Sequence, residues 1–444
     1  MAGAGEFGIG VRSCPSPSPP VWSVRESLRF VDAHWNELKT RTMPPLSARE
    51  RIGPLPPSAQ RMFDERTALL SAPVDGITTD GFRRHGLFPL HPTGVDTSCV
   101  VAAAQALLAA LSVEQSATIR FPMESDQWRT WLNIHVNVFR HGIMLEDLID
   151  ELRMLALDVL RATLSVRGYE QARGIMRVNE LIAELSGQPD SFGEWPYFFS
   201  IFGEPDAEEP WGWQIDGHHL NVNCVVVGDQ LVLTPSFMGS EPRTVPSGPL
   251  AGTELLSLEE AAGLALVRSL DGPQARTAIV GPSLLPDDLP PALQHPFDGR
   301  MQGGAFHDNA VLPHEGISAA ALDARQRAML TELIAAYIGW TNDGHAAVKM
   351  EEVIAHLDDT WFSWMGGTGD ESVFYYRVHS PVVLIEFDHH PGVVFDVDRP
   401  TRHHVHTLIR TPNGGDYGTD LLRQHHERYD HADGHHRERD ARSH

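Results

Sequence analysis

The chain has little with which to cross-link itself or enter a membrane. Only Cys14, Cys99 and Cys224 occur in 444 residues. They are far apart, odd in number and form no CxxC pair, which argues against a disulfide framework and against a cysteine-only zinc site. On that basis the chain reads as cytoplasmic. The start, MAGAGEFGIGVRSCPSPSPP, lacks a basic segment followed by an apolar stretch of signal-peptide length, and no run approaches the roughly 18 uninterrupted apolar residues of a membrane span. Positive charge is also short: 35 Lys and Arg against 59 Asp and Glu give a formal charge of -24. That balance repels nucleic acid and anionic lipid, so the expected partner is a small-molecule substrate, with no nucleic acid and no membrane. Common catalytic signatures are missing too. There is no GxSxG elbow, no GxxxxGK[ST] and no HExxH, and the GxGxxG at Gly3, Gly5 and Gly8 has no strand before it and no helix pattern after it.

What remains is ample for a large core, since 42% of the side chains are apolar. Residues 1–22 read as a disordered leader, 23–80 as a proline-broken arm, 81–190 as a helical part, 191–425 as the α+β part that carries the chemistry, and 426–444 as a charged, histidine-rich tail. Helices are expected over 97–112, 145–165, 168–187, 256–270 and 322–340. In the second of these Leu148, Leu152, Leu155 and Val159 recur at helical spacing and make a buried stripe. Trp128, Trp131, Leu132 and His135 share a similar spacing and read as core packing. From about residue 195 short β-type runs take over, with Gly228-Asp229 as a hairpin turn. The fold class expected is α+β, a helical N-terminal part packed on a mixed, largely antiparallel sheet. From Asp420 onward no apolar stripe continues, and fraying is expected.

Chemistry concentrates in histidines. In WGWQIDGHHLNVNCVVVG, read as one strand, His219 lies with Asn221 and Asn223 on one face, while His218 lies with Leu220, Val222 and Cys224 on the other. Polar groups on an otherwise apolar strand must be hydrogen-bonded, wet or coordinating, because burying them unpaired costs a few kcal/mol each. His219 is therefore the candidate ligand, and His218 the supporting residue. In HHVHTLIR the same alternation puts His404, His406 and Arg410 on one face, and an HxH on a strand offers two imidazoles from one rigid element. Glu386 interrupts the apolar strand VVLIEF, where a carboxylate needs a metal or an arginine such as Arg377 or Arg410 beside it. His389 and His390, in FDHHPG, read as a solvated loop.

WGWQIDGHHLNVN, TPSFMGSEP, FYYRV, LIEF and HHVHTLIRTPNGGDYGTDLL together resemble the family catalogued as domain of unknown function 3500, from about residue 85 to residue 425. The resemblance implies that His218, His219, Glu386, His404, His406, Arg410, Asp416, Tyr417 and Gly418 belong to one site. The expected set is then His219, His404, His406 and Glu386 on a divalent metal, zinc or iron first and manganese or copper next. Arg410 would hold an anionic substrate, and Asp416, Tyr417 or His218 would move or support a proton. Metal-bound water acting as a hydrolytic nucleophile is the reaction favoured. A non-haem iron or copper oxygenase using the same residues is the alternative, and a non-catalytic metal-binding protein the second.

Overall fold

The computed structural model describes residues 57–134, 139–290 and 299–430, together with Cys14, Thr40 and Leu293. The leader other than Cys14, most of the arm before residue 57, His135 and the tail beyond residue 430 lie outside the described residues.

Apolar alternation and β-branched or aromatic side chains make eight main strands. They are β1 (Phe198–Phe202), β2 (Trp211–Gly217), β3 (Leu220–Val227), β4 (Ser236–Ser240), β5 (Trp361–Gly366), β6 (Phe374–His379), β7 (Leu384–Pro391) and β8 (Pro400–Arg410). They line up as β1-β2-β3-β4-β8-β7-β6-β5 within a mixed, mostly antiparallel sheet of 13 strands among the described residues. The fold is α+β, as the sequence implies.

The two faces of this sheet differ sharply in chemistry. Ile201, Trp213, Ile215, Val222, Ile385, Phe387, Tyr376 and Trp364 point to one side and are buried. There they meet the helices Asp150–Thr163, Val166–Ser186, Ser257–Ser269 and Ala324–Ile338. Trp213 donates to Thr163 at 3.2 Å, and Tyr376 meets Tyr337 at 2.7 Å and the Glu259 carbonyl at 2.9 Å. The opposite face carries Gln214, Asp216, Asn221, Asn223, His404, His406, Arg410, Glu386, Asp388, Arg377 and His379, all buried as well. Two loop segments cover it and supply its partners. Leu132 N donates to Asp216 at 3.0 Å, and Gln302 N and Gly303 N donate to Glu386 at 2.9 and 2.8 Å. A polar face can be buried in this way where its groups find acceptors or donors in those loops, as Asp216 and Glu386 do.

The order of elements is used twice. Gly142 and Gly316 both have φ of 81°. A side chain on either would collide with backbone of an equivalent strand, Phe199 in one case and Phe362 in the other. After each come a short strand, a 3-10 turn, a pair of helices and a four-stranded meander. The helix pairs meet symmetrically: Ser165 N donates to Trp340 O at 2.8 Å, and Asn342 N to Thr163 O at 3.1 Å. Across the β2–β3 and β6–β7 hairpins the two halves differ by a constant 163 residues, since Asp216 pairs with Asn221 where His379 pairs with Leu384 (216 to 379, 221 to 384). His141 bonds Gln214 where Glu315 bonds Arg377. The halves join along the β4–β8 seam.

Several expectations are corrected. Cys14 and Cys99 form a disulfide with their Cα atoms 5.4 Å apart, although 85 residues separate them. Distance in sequence does not limit proximity in the fold, and with this bond the cysteine count no longer argues for a reducing compartment. No helix among the described residues is long and apolar enough to cross a membrane. The stretch from Asp420 does not fray at once but forms the helix Thr419–Asp430. It is anchored by Leu421 and Leu422, which pack on the core, and by polar docking: Arg83 bonds Asp420 at 2.6 Å, and Gln424 bonds Leu90 N and Phe88 O at 2.9 and 2.7 Å. Trp128, Trp131 and Leu132 are core residues, as expected, but on a 3-10 turn and the extended segment after it.

Buried imidazoles give the fold a pH signature. Burial lowers His345 to about 4 and His379 to about 3, and it also lowers His141 and His389. Each stays neutral in the native state while the unfolded chain takes up protons below about 6.5, so the stability they represent is full above that pH and is lost as pH falls towards 4. Asp216, raised by burial to about 8, and Asp388, raised to about 6, act in the opposite sense. Glu386 and Asp416, raised by burial, join these carboxyls, and His219, His404 and His406, lowered by burial, join the imidazoles, so that seven imidazoles outweigh four carboxyls. Urea denaturation at pH 4.5 should show stability several kcal/mol below that at pH 7.5, at about 1.4 kcal/mol per proton per pH unit. Equal midpoints at the two pH values would contradict the argument.

Candidate metal centre

Two adjacent residues of β2–β3 and two alternate residues of β8 build the site. His218 and His219 are not on a strand, as the alternation argument assumed. They are the two-residue turn between β2 and β3, and His219 has a φ of 62°. That left-handed conformation is uncommon for a residue with a side chain and is the kind of local strain held in place where function needs it. It turns the His219 ring across the neighbouring strand towards β8.

There His404 and His406 stand side by side on the polar face. His219 Nε2 lies 3.1 Å from His404 Nε2 and 3.3 Å from His406 Nε2. Ligand atoms of His219, His404 and His406 all lie within 4.8 Å of one another, and all three residues are buried. Three nitrogens on a tetrahedral ion at about 2.0–2.1 Å would stand roughly 3.4 Å apart. The observed spacing fits that figure. This group of three imidazoles could hold a metal ion.

The surroundings fix the rings. His404 Nδ1 is 2.7 Å from the Pro391 carbonyl, which can only accept, so Nδ1 carries the proton and the Nε2 lone pair faces the other two rings. Behind it, Glu241 is wholly buried with Oε2 3.6 Å from His404 Nδ1, and it accepts from Val393 N, Val394 N and Phe395 N at 3.0–3.1 Å. A fixed carboxylate behind a ligand imidazole is the usual electrostatic support of a bound cation. His218 stacks on His219 with ring centres 3.9 Å apart and is held by Asn179 Oδ1 at 2.7 Å. Gly239 makes the space between rings: a Cβ there would sit 2.9 Å from His406 Cδ2 and 3.1 Å from His219 Cδ2. Burial first, and then the neighbouring imidazoles, push His219 and His406 well below their ordinary pKa, and burial lowers His404 to about 4. The three rings are therefore neutral, with lone pairs available, at neutral pH.

The other residues singled out in the sequence lie apart from this group. Glu386 accepts from Gln302 N, Gly303 N and Tyr375 OH, the last at 2.6 Å, and its strand position faces Leu408, one pleat beyond His406. Arg410 is enclosed. It pairs with Asp308 and with Asp416 at 2.8 Å, and donates to Gly303 O at 3.0 Å. Tyr417 OH bonds Asp308 at 3.1 Å and receives Trp131 Nε1 at 3.0 Å, while Asp308 also takes Arg129 at 2.7 Å. Gly418, with a φ of 63°, packs under Val225.

Residues not foreseen stand closer. β7 runs on to Pro391, so His389 and His390 are buried strand residues and not a solvated loop. His389, on the helix side, reaches Glu260 at 3.2 Å. The ring of His390, on the polar side, lies 4.9 and 4.7 Å from those of His404 and His406. Asp388, paired across the strands with His406, is held by Arg300 at 3.3 Å. The signal was present in the unbroken period of LIEFDHH, and the Pro-Gly that follows concealed it.

A family described as protein of unknown function (DUF3500) matches residues 93–419, and the chain belongs to that family. No curated protein and no solved structure matches it.

Proposed function

We propose that the protein is a metal-dependent hydrolase that holds one divalent ion, zinc by preference, on the Nε2 atoms of His219, His404 and His406. The observation that carries this reading is the convergence of three buried, neutral imidazoles, with His219 Nε2 at 3.1 and 3.3 Å from the Nε2 atoms of His404 and His406. The duplication supports it. His219 has Val382 as its counterpart (219 to 382), and the cross-strand pair of Asp388 with His406 corresponds to Val225 with Val232. The fold builds the same framework without imidazoles, so these histidines answer a need other than folding.

With zinc bound, such a site supplies a Lewis acid and an acidified water with a pKa near about 7. The chain's own residues do the rest. Pro391 O fixes the His404 tautomer, Glu241 balances charge behind it, and His218 braces the strained His219 turn. His390 and the Asp388–Arg300 pair line the β7 side, where a reacting group would meet a polar but enclosed surface. A set of three imidazoles favours zinc over the two-histidine, one-carboxylate iron arrangement, because Glu386 is already satisfied by two backbone amides and a tyrosine. In this reading Arg410, Asp416 and Tyr417 fasten the 299–308 segment over the polar face and do not touch substrate.

Elemental analysis of protein purified without immobilised nickel tests the reading. About one zinc per chain is expected, together with chelator-sensitive hydrolysis of at least one member of an ester, amide and phosphoester panel. Metal-free protein that takes up no ion on addition of zinc would end the proposal; stoichiometric zinc with no hydrolysis of any kind would leave a metal-binding protein in its place.

A further inference from the structure

At the far end of the polar face, two strands away from the imidazole group, polar atoms are buried with nothing to bond. Arg377 on β6 is 2% exposed; its Nη2 reaches Glu315 at 2.8 Å and the Pro313 carbonyl at 3.1 Å, while Nη1 has no partner among the described residues. His379, two residues on along the same face, is 1% exposed, and neither of its ring nitrogens has one. Ser363, directly across from Arg377 on β5, has an unpartnered Oγ, and His314 an unpartnered Nδ1. The His314 ring lies 5.0 Å from that of His379 and stacks on Trp361 at 5.3 Å. Five orphaned atoms at one place are unusual, since a buried group left unbonded costs about 1–3 kcal/mol.

The other half of the molecule shows that the fold does not require this. The counterparts of Ser363, Arg377 and His379 are Ser200, Gln214 and Asp216, by the same 163-residue offset (363 to 200, 377 to 214, 379 to 216). All are bonded there: Ser200 to His141 O, Gln214 to Trp128 O at 3.0 Å and Asn223 at 2.5 Å, and Asp216 to Leu132 N at 3.0 Å. In the second half the acidic residue has become a histidine and the amide an arginine. Each side chain with an unbonded atom there can donate: a guanidinium, a hydroxyl, and one N–H of each neutral imidazole.

We infer that Arg377, His379, Ser363 and His314 form a second binding site, for a small oxyanion such as a carboxylate or phosphate, entered where Glu315 now lies. An oxyanion is acceptor-only and matches a cluster in which every member can donate at least one hydrogen, with the planar guanidinium as its charged wall. Glu315, 44% exposed, is the carboxylate such a ligand would displace. A divalent cation is the poorer occupant, because Arg377 stands in the cluster.

Isothermal titration of the full chain with inorganic phosphate, and separately with sodium acetate, tests this. One saturable site is expected for at least one of the two, which also tells the phosphate and carboxylate classes apart. It should persist in the His404→Ala, His406→Ala double variant and weaken at least tenfold in His379→Phe. His314→Phe, which keeps the stacking on Trp361 and removes the nitrogen, should weaken it as well and covers the case in which His379→Phe does not fold. No saturable binding by wild type, undiminished binding in both phenylalanine variants, or loss of binding in the double variant alone would each overturn the inference. The last outcome would place the anion on the metal centre instead.

Discussion

The His404→Ala, His406→Ala double variant should purify without metal and should not respond to a chelator. Wild type, saturated to about a thousand times its dissociation constant, should lose about 4 kcal/mol of stability when the ion is stripped, since a ligand that binds only the native state stabilises it by that much. Both rings come from one strand, and β8 is held by main-chain pairing to β7 and β4 that alanine leaves intact. Circular dichroism should therefore hardly change. His219→Ala should also lose metal, because it removes one of the three ligands, while the left-handed backbone at that position stays as strained as before. Full metal occupancy in the double variant, measured by inductively coupled plasma spectrometry, would remove the basis of the proposed function.

A second large effect is expected at Arg410. Its guanidinium is wholly buried between Asp308 and Asp416, and Asp308 is shared with Arg129 and Tyr417. Removing one partner of a buried pair strands the other charges, at a cost of about 3–5 kcal/mol. Arg410→Met should therefore lower the urea midpoint strongly while leaving metal stoichiometry unchanged below the transition. A variant within about 1 kcal/mol of wild type would mean that the network holds nothing together. Arg410→Lys should sit nearer to Met than to wild type, because an ammonium cannot span two carboxylates and a carbonyl as the fork does.

What could be read from the sequence followed the period of the side chains. The strands, the Gly228-Asp229 turn and the shared face of His404 and His406 are all statements about alternation, and the backbone obeys them. Where alternation stops, the reading stopped with it. GHHL carries no glycine or asparagine at its turn positions, so the hairpin went unseen, and His219 reaches the site by turn geometry and not by strand parity. Glu386 looked like a ligand because a carboxylate in an apolar strand needs compensation. That compensation comes from the backbone of a loop more than 80 residues earlier, which no local pattern reveals. The duplication hid for a related reason: the halves share geometry, as at Gly142 and Gly316, while the side chains on the polar face have diverged from Gln and Asp to Arg and His.

The seam between β4 and β8 has a consequence for how the molecule matures. His219 is delivered by the first meander, and His404 and His406 by the last strand of the second, so the ligands lie more than 180 residues apart along the chain. Neither half can assemble the centre alone. Contacts of such long range are expected to form late, after each meander has condensed on its own helices. Metal uptake should accordingly trail the recovery of helix and sheet signals during refolding. A chain with two well-formed but undocked halves would look native by circular dichroism and yet remain empty.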